Sequence, residues 1–259
     1  MNNMKPTAPF AHLLREAVTV PGMISQAYSQ FHNYSLGNQL WAWAQCMERK
    51  IPLGPIATFK KWQELGRNVK KGQRAIALVM PVTVKQDDAE KEISRPLTIF
   101  VIKNYWFTLD QTDGAEYKHE VPTPSWNREQ ALAALNITEA PFDIENGNVQ
   151  GFARLDSIAI NPVAEYPHKT RFHELAHIVL GHTREGTMTD SDATPKNIRE
   201  VEAESVAYII CSVLDLPGLT ESRGYIQLWL NNGEICNKSA QKIFAAANKI
   251  LEAGKVKAE

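Results

Sequence analysis

The chain has 259 residues, room for one large domain or two ordinary ones, and its 28 basic and 29 acidic residues leave a net charge of −1. Apolar residues make up 44% and charged residues 22%, an ordinary globular balance, and no apolar run approaches the 18 or so residues of a membrane span. The N-terminus lacks a basic-then-apolar signal, and three widely spaced cysteines exclude a disulfide framework and a C-x-x-C metal site. The expectation is a cytoplasmic protein without a membrane partner, with Cys46 and Cys211 as buried, inert thiols.

The charge is unevenly spread. Residues 1–124 hold 15 basic and 11 acidic side chains, and residues 125–259 hold 13 and 18. The first-half surplus concentrates between Glu48 and Lys85, which suggests an anionic partner.

Residues 8–50 read as helical, with a break at Pro21-Gly22-Met23 and with Ser35 placed to cap a helix running to Lys50. A short helix, Thr58 to Leu65, closes at Gly66. The basic turn Arg67 to Arg74 leads into a strand, Ala75 to Val84. An acidic loop, Gln86 to Glu92, and a return strand, Leu97 to Leu109, complete a meander. The stretch Val121 to Ser125, with Pro122 and Pro124, reads as a linker. Beyond it come a helix, Arg128 to Leu135, and a strand, Gly151 to Ile160. A strand in that place can hold an extended peptide along its exposed edge. A terminal helical region, Gly224 to Ala253, closes the chain.

The densest chemistry lies in Phe172-His173-Glu174-Leu175-Ala176-His177, an H-E-x-x-H pattern. On a helix, positions i and i+4 share a face, so His173 and His177 can present imidazoles to one ion while Glu174 stands beside it. Zinc suits such ligands and keeps a position for water in catalytic sites, manganese being the other candidate. Glu174 is then the base that takes a proton from the attacking water. A second helix, Asn197 to Cys211, offers Glu200 and Glu204 one turn apart on one face. Glu200 is read as the third ligand and Glu204 as the acceptor for the far nitrogen of a ligand histidine, with the reverse assignment open. Glu202 points nearly the opposite way and is read as solvated. His182 is read as a helix-end residue after Gly181, because the three-histidine extension of the motif requires its last histidine where Leu180 stands.

Single-strand binders combine a cationic groove with aromatic stacking platforms, and the first half has both ingredients. Lys60, Lys61, Arg67, Lys70, Lys71 and Arg74 supply charge, and Trp62, Phe59, Trp41, Tyr34 and Trp106 are candidate platforms.

Two motif sets carry a resemblance. Asn33-Tyr34-Ser35-Leu36-Gly37-Asn38-Gln39-Leu40, Ala57-Thr58-Phe59-Lys60-Lys61-Trp62 and Gly66-Arg67-Asn68-Val69-Lys70-Lys71-Gly72 resemble the N-terminal domain of ArdC-type antirestriction proteins of conjugative plasmids. His173-Glu174-Leu175-Ala176-His177 with Glu200 to Tyr208 resembles the zincin-like metallopeptidase domain of the same family. The resemblance implies a single-stranded-DNA-binding domain joined to a metal-dependent domain that shields incoming plasmid DNA from host restriction enzymes. The expected fold is α+β: a helical and β-meander DNA-binding domain over residues 1–121, then a gluzincin-like metallopeptidase domain over 126–259. The expected partners are single-stranded DNA and a host restriction component or other protein substrate. The alternatives are a cytoplasmic zinc metallopeptidase that cleaves a regulatory protein, and a DNA-coating protein with a structural metal.

Overall fold

The computed structural model describes residues 9–86, 95–121, 123–144, 148–184, 194–233 and 235–256. Three helices open the chain: α1 (Phe10–Thr19), α2 (Met23–Phe31) and α3 (Leu36–Arg49). In α1 the buried residues Phe10, Leu13, Leu14, Ala17 and Val18 follow the i, i+3, i+4, i+7 rhythm of one apolar stripe. Ser35 stands at the N-cap of α3 with extended backbone, as read from the sequence, but its side chain makes no capping bond.

The meander follows as β1 (Ile56–Thr58), helix α4 (Phe59–Glu64), β2 (Arg67–Val69), β3 (Ile76–Gln86), β4 (Arg95–Thr108) and β5 (Thr112–Gly114). Strands β1, β4 and β3 form one antiparallel sheet in that order, and β2 pairs with β5 in another. Strand β3 is a sheet edge, and its inner groups are covered by amide side chains from α3. Asn38 bonds both backbone groups of Val79, at 2.8 and 2.9 Å, and Gln45 bonds both of Ala77, at 2.8 and 2.9 Å. Two residues along a strand thus match seven along a helix, which locks α3 across the hairpin.

The second half comprises α5 (Arg128–Leu135), β6 (Thr138–Glu139), β7 (Gly151–Arg154), β8 (Ser157–Ile160), α6 (Pro167–Val179), α7 (Lys196–Val213), α8 (Leu219–Asn232) and α9 (Asn237–Gly254). The single strand expected over Gly151 to Ile160 is a hairpin, β7 antiparallel to β8, turning at Leu155 with φ 51°. A leucine in the left-handed region gives no turn signal in sequence, which is why the break was not legible. The terminal helical region is likewise two helices, divided at Gly233. Most of the acidic loop Gln86 to Glu92 and of the polar loop after Arg184 lies outside the described residues.

Helix α7 is buried almost all round, from Val201 through Val213, and contacts α2, α6, α8 and α9. Helix α9 packs against α1, α3, α5, α6 and α7. Both ends of α1 are capped from the C-terminal region. Asn237 Oδ1 accepts from the Ala11 N–H at 2.9 Å, and Arg223 donates to the carbonyls of Val18 and Thr19 at 2.7 and 2.6 Å. One hydrophobic cluster accordingly runs from Phe10 to Ile250, a mixed α+β core with α7 and α9 at its centre. Among the described residues no helix is long and apolar enough to cross a membrane.

Candidate metal centre

Helix α6 starts at Pro167, whose fixed φ suits the first helical position, and is apolar along the face that carries Phe172, Leu175, Ala176 and Ile178 into the core. The other face turns His173 and His177 toward α7. Their Nε2 atoms lie 3.1 Å apart, and Glu200 Oε2 lies 3.4 Å from the first and 3.6 Å from the second. These three are the described residues whose donor atoms cluster closely enough to hold an ion. The ligand set read from the sequence is therefore brought together.

The far nitrogens are engaged too. Glu204 accepts from His173 Nδ1 at 2.9 Å and pairs with Lys169 Nζ at 3.1 Å, as expected of a carboxylate that orients a ligand imidazole. His177 Nδ1 donates to His182 Nδ1 at 3.0 Å, and His182 Nε2 donates to Glu202 Oε2 at 3.0 Å. The other Glu202 oxygen accepts from the Ser239 hydroxyl on α9. Once any proton on the Nε2 nitrogens is given up, both chains of hydrogen bonds leave these as the ones free for an ion beside Glu200.

Two readings from the sequence are corrected here. Glu202 is not solvated: it does face away from Glu200, but onto α9, and is 5% exposed. The signal was the apolar run Val206 to Cys211, which wraps the whole circumference of α7 and leaves it no wet side. His182 does stand just past the end of α6, as read, but not as a cation suited to the carbonyl end. Its side chain is 4% exposed, and burial pushes its pKa below the ordinary histidine value. Lys169, unnoticed in sequence, sits one turn before His173, where it reaches Glu204.

The electrostatics fit a cation-binding place. Burial works against a charge on His173, but Glu200 and Glu204 outweigh it and raise its pKa to about 10. The imidazoles hold the Glu200 carboxyl well below the usual range. The acceptors that keep a proton here suit a divalent ion in its place. Glu174 is 8% exposed, and burial raises its pKa, which makes it a stronger base than a solvated glutamate.

Glu174 lines a cleft of about 700 Å³ together with the triad, strand β7 and the start of α7. Strand β7 is the edge of the β6-β8-β7 sheet. Only glycine fits at position 151, since a Cβ there would stand 2.7 Å from Thr170 Cγ2 and 3.2 Å from Glu174 Cγ. That absence lets the edge strand lie directly against the helix that carries the base.

Residues 14–120 match the sequence profile of the N-terminal domain of anti-restriction factor ArdC. Residues 14–120 are thus similar to an ArdC N-terminal domain. The whole chain also has the fold of a solved ArdC protein. The crystal structure of antirestriction ArdC from plasmid R388, metal-free, aligns at TM-score 0.55 with 20% identity over 95% of each chain. The Mn(II)-bound structure of the same protein aligns at TM-score 0.50, again with 20% identity, over 95% of this chain and 96% of that one. No curated protein matches the chain in sequence. The resemblance carried by the first motif set is borne out by the profile match, and over the rest of the chain the likeness is one of fold.

Within residues 14–120 the candidate DNA residues are spread unequally. Trp62 is 1% exposed and donates from Nε1 to the Phe107 carbonyl at 2.8 Å, so its place is the core and its reading as a stacking platform is corrected. Trp106 and Tyr34 pack edge to face at 6.4 Å, with the Tyr34 hydroxyl on the Ile56 carbonyl. Phe59 is the candidate ring left open, at 48% exposure. Arg67 is tied to Thr112 by two bonds of 2.8 and 2.9 Å, bracing β2 against β5. Lys70 donates to the Asp110 carbonyl at 2.7 Å, and Lys61 pairs with Glu64 at 3.3 Å. Lys60, Lys71 and Arg74 are exposed. Cys46 and Cys211 are buried, and burial raises their thiols to about 11 and about 12, which makes both inert.

Proposed function

We propose that this chain is an antirestriction protein of a plasmid or mobile element, with a single-stranded-DNA-binding N-terminal half and a zincin-like C-terminal half carrying a zinc metallopeptidase-type site. The observation that carries the second part is the triangle of His173 Nε2, His177 Nε2 and Glu200 Oε2, with edges of 3.1, 3.4 and 3.6 Å. Tetrahedral zinc with bonds of about 2.0–2.1 Å has ligand-to-ligand edges of about 3.3–3.4 Å, and an octahedral ion with such bonds has edges of about 2.9 Å. The triangle brackets the tetrahedral value. Manganese is the alternative, because the solved R388 ArdC includes a Mn(II)-bound form.

His173, His177 and Glu200 would hold the ion, which when bound polarises a carbonyl and lowers the pKa of water. The remaining chemistry belongs to the chain. Glu174, raised by burial, takes the proton of the attacking water and returns it to the leaving amine. The edge of β7 aligns an extended peptide by main-chain hydrogen bonds across the face of α6. Glu204 and the His182–Glu202 pair keep the imidazole rings turned to the cleft.

For DNA, Lys60, Lys61, Lys70, Lys71 and Arg74 with Phe59 form the proposed contact face, which reads charge and stacking and not sequence. The test joins three measurements on one protein: metal content after zinc or manganese loading, anisotropy with fluorescein-labelled oligo-dT, and melting with and without chelator. One tightly held ion and salt-sensitive oligo-dT binding are expected. Absence of oligo-dT binding at low salt refutes the first half of the proposal. A melting temperature that collapses on chelation, with no peptide hydrolysis in the loaded form, favours a structural metal in a DNA-coating protein.

A further inference from the structure

The cleft beside the triad has a charge pattern that hydrolysis alone does not require. Among the described residues lining it are three cations, Arg154 on β7 and Lys196 and Arg199 on α7. They stand in a half of the chain that is otherwise acidic, with 13 basic against 18 acidic residues over 125–259. Lys196 and Arg199 occupy the first turn of the 18-residue α7, where the free N–H groups already carry partial positive charge and no acidic residue stands. Cations there cost the helix stability, so helix formation does not explain them.

Nor are they used up by ion pairs. Lys196 is exposed and pairs with no carboxylate among the described residues. Arg154 is 62% exposed, and Asp143 approaches it only to 3.9 Å. Arg199 donates from Nη1 to the His182 carbonyl at 3.3 Å, while its Nε is withdrawn from solvent with no acceptor among the described residues. The carboxylates that share the cleft do not pair with Arg199: Glu200 lies between the two imidazoles, and Glu174 lies against Gly151.

We infer that the cleft takes an extended peptide segment bearing acidic side chains, laid along the open edge of β7, with Lys196 and Arg199 receiving its carboxylates and Arg154 flanking them. The inference rests on the reading of this cleft as a peptide site. Carboxylate is favoured over phosphate backbone because the open strand edge offers main-chain hydrogen bonds that a peptide can match and a nucleic acid cannot.

The test uses zinc-loaded full-length protein carrying Glu174→Gln, so that binding is read without turnover. Three fluorescein-labelled probes are titrated by anisotropy: a decapeptide with glutamate at alternate positions, its glutamine counterpart, and dT15. The glutamate peptide is expected to bind at least tenfold more tightly than the glutamine one. That preference should shrink below threefold in Lys196→Glu, an exposed position that leaves the fold intact, and again in Arg199→Gln. It should persist in Lys70→Gln with Lys71→Gln, which tests the basic turn of the other half. Equal binding of the two peptides overturns the inference. So does a preference lost with the Lys70 and Lys71 changes and kept with Lys196→Glu, or a Lys196→Glu protein that loses dT15 and keeps the glutamate peptide. Metal content is measured on the same samples, so failure to hold zinc with the glutamate preference intact refutes the metal reading and leaves this one standing.

Discussion

Zinc and a proton compete for the same place on His173, and the competition sets a slope. With Glu200 and Glu204 around it, His173 titrates at about 10, so at pH 7 the metal-free protein carries a proton that a ligand nitrogen must give up. Between about pH 7 and 9 each added ion should release one proton, and the apparent affinity should rise about tenfold per pH unit, ~1.4 kcal/mol for each. The assay is competition against a chromophoric chelator at pH 7, 8 and 9, corrected for the chelator's own titration. Calorimetry in two buffers of different ionisation enthalpy then counts the proton. A flat affinity, or no proton released, shows that zinc and the proton do not compete for His173. Stability follows with the sign of each shift. The raised His173 stabilises the metal-free fold fully below about pH 6.5 and loses that contribution as pH rises toward 10. Glu204, buried but held down to about 2 by His173 and Lys169, contributes above about pH 4.5 and loses its part as pH falls toward 2. The metal-free protein should therefore melt highest between about pH 4.5 and 6.5, and its alkaline decline should vanish when zinc is bound.

Replacing Glu174 by Gln should leave metal and oligo-dT binding within a factor of two and cut any peptide hydrolysis by about 10²–10⁴; equal hydrolysis by parent and variant contradicts the general-base role. Glu202→Ala strips the acceptor from His182 and Ser239 in a buried place, at a cost of about 2–5 kcal/mol and about 5–15 °C in melting temperature. It should also weaken zinc about 10–100-fold, and unchanged zinc affinity shows that the chain of hydrogen bonds does not orient His177. Trp62→Ala should cost about 3–5 kcal/mol without a change in the salt dependence of DNA binding. Neutralising Lys70 and Lys71 should spare stability and lower the slope of log affinity against log salt by about 0.7 for each lost phosphate contact; a Trp62 variant that stays folded but stops binding DNA restores that ring as a platform.

The parts of the site that follow from a local period were legible in the sequence. An i, i+4 histidine pair and a glutamate pair one turn apart each define a helix face, and the structure brings those faces together. What escaped depended on long-range packing. Glu202 looks solvated on a helical wheel because the wheel does not show that α9 covers that side of α7. His182 and Ser239 join Glu202 from 20 and 37 residues away, and no spacing rule connects them. In the first half, a tryptophan beside two lysines reads as a nucleic-acid platform, whereas the hairpin folds over it and supplies a carbonyl for its N–H. Helix boundaries came through where a cap or breaker marks them, as at Asn127 before α5 and Gly66 after α4. The strand reading failed at Leu155, where the turn is imposed by the hairpin and by Thr183 donating to its carbonyl at 2.9 Å.

His173, His177 and Glu200 should share one ion, which X-ray absorption at the zinc edge reads on the loaded protein and on Glu200→Ala. One ion per chain is expected, with two imidazoles and one carboxylate at about 2.0–2.1 Å in the parent, and loss of the carboxylate with retention of both imidazoles in the variant. A sulfur ligand, a shell without imidazole scattering, or an identical spectrum from Glu200→Ala contradicts it.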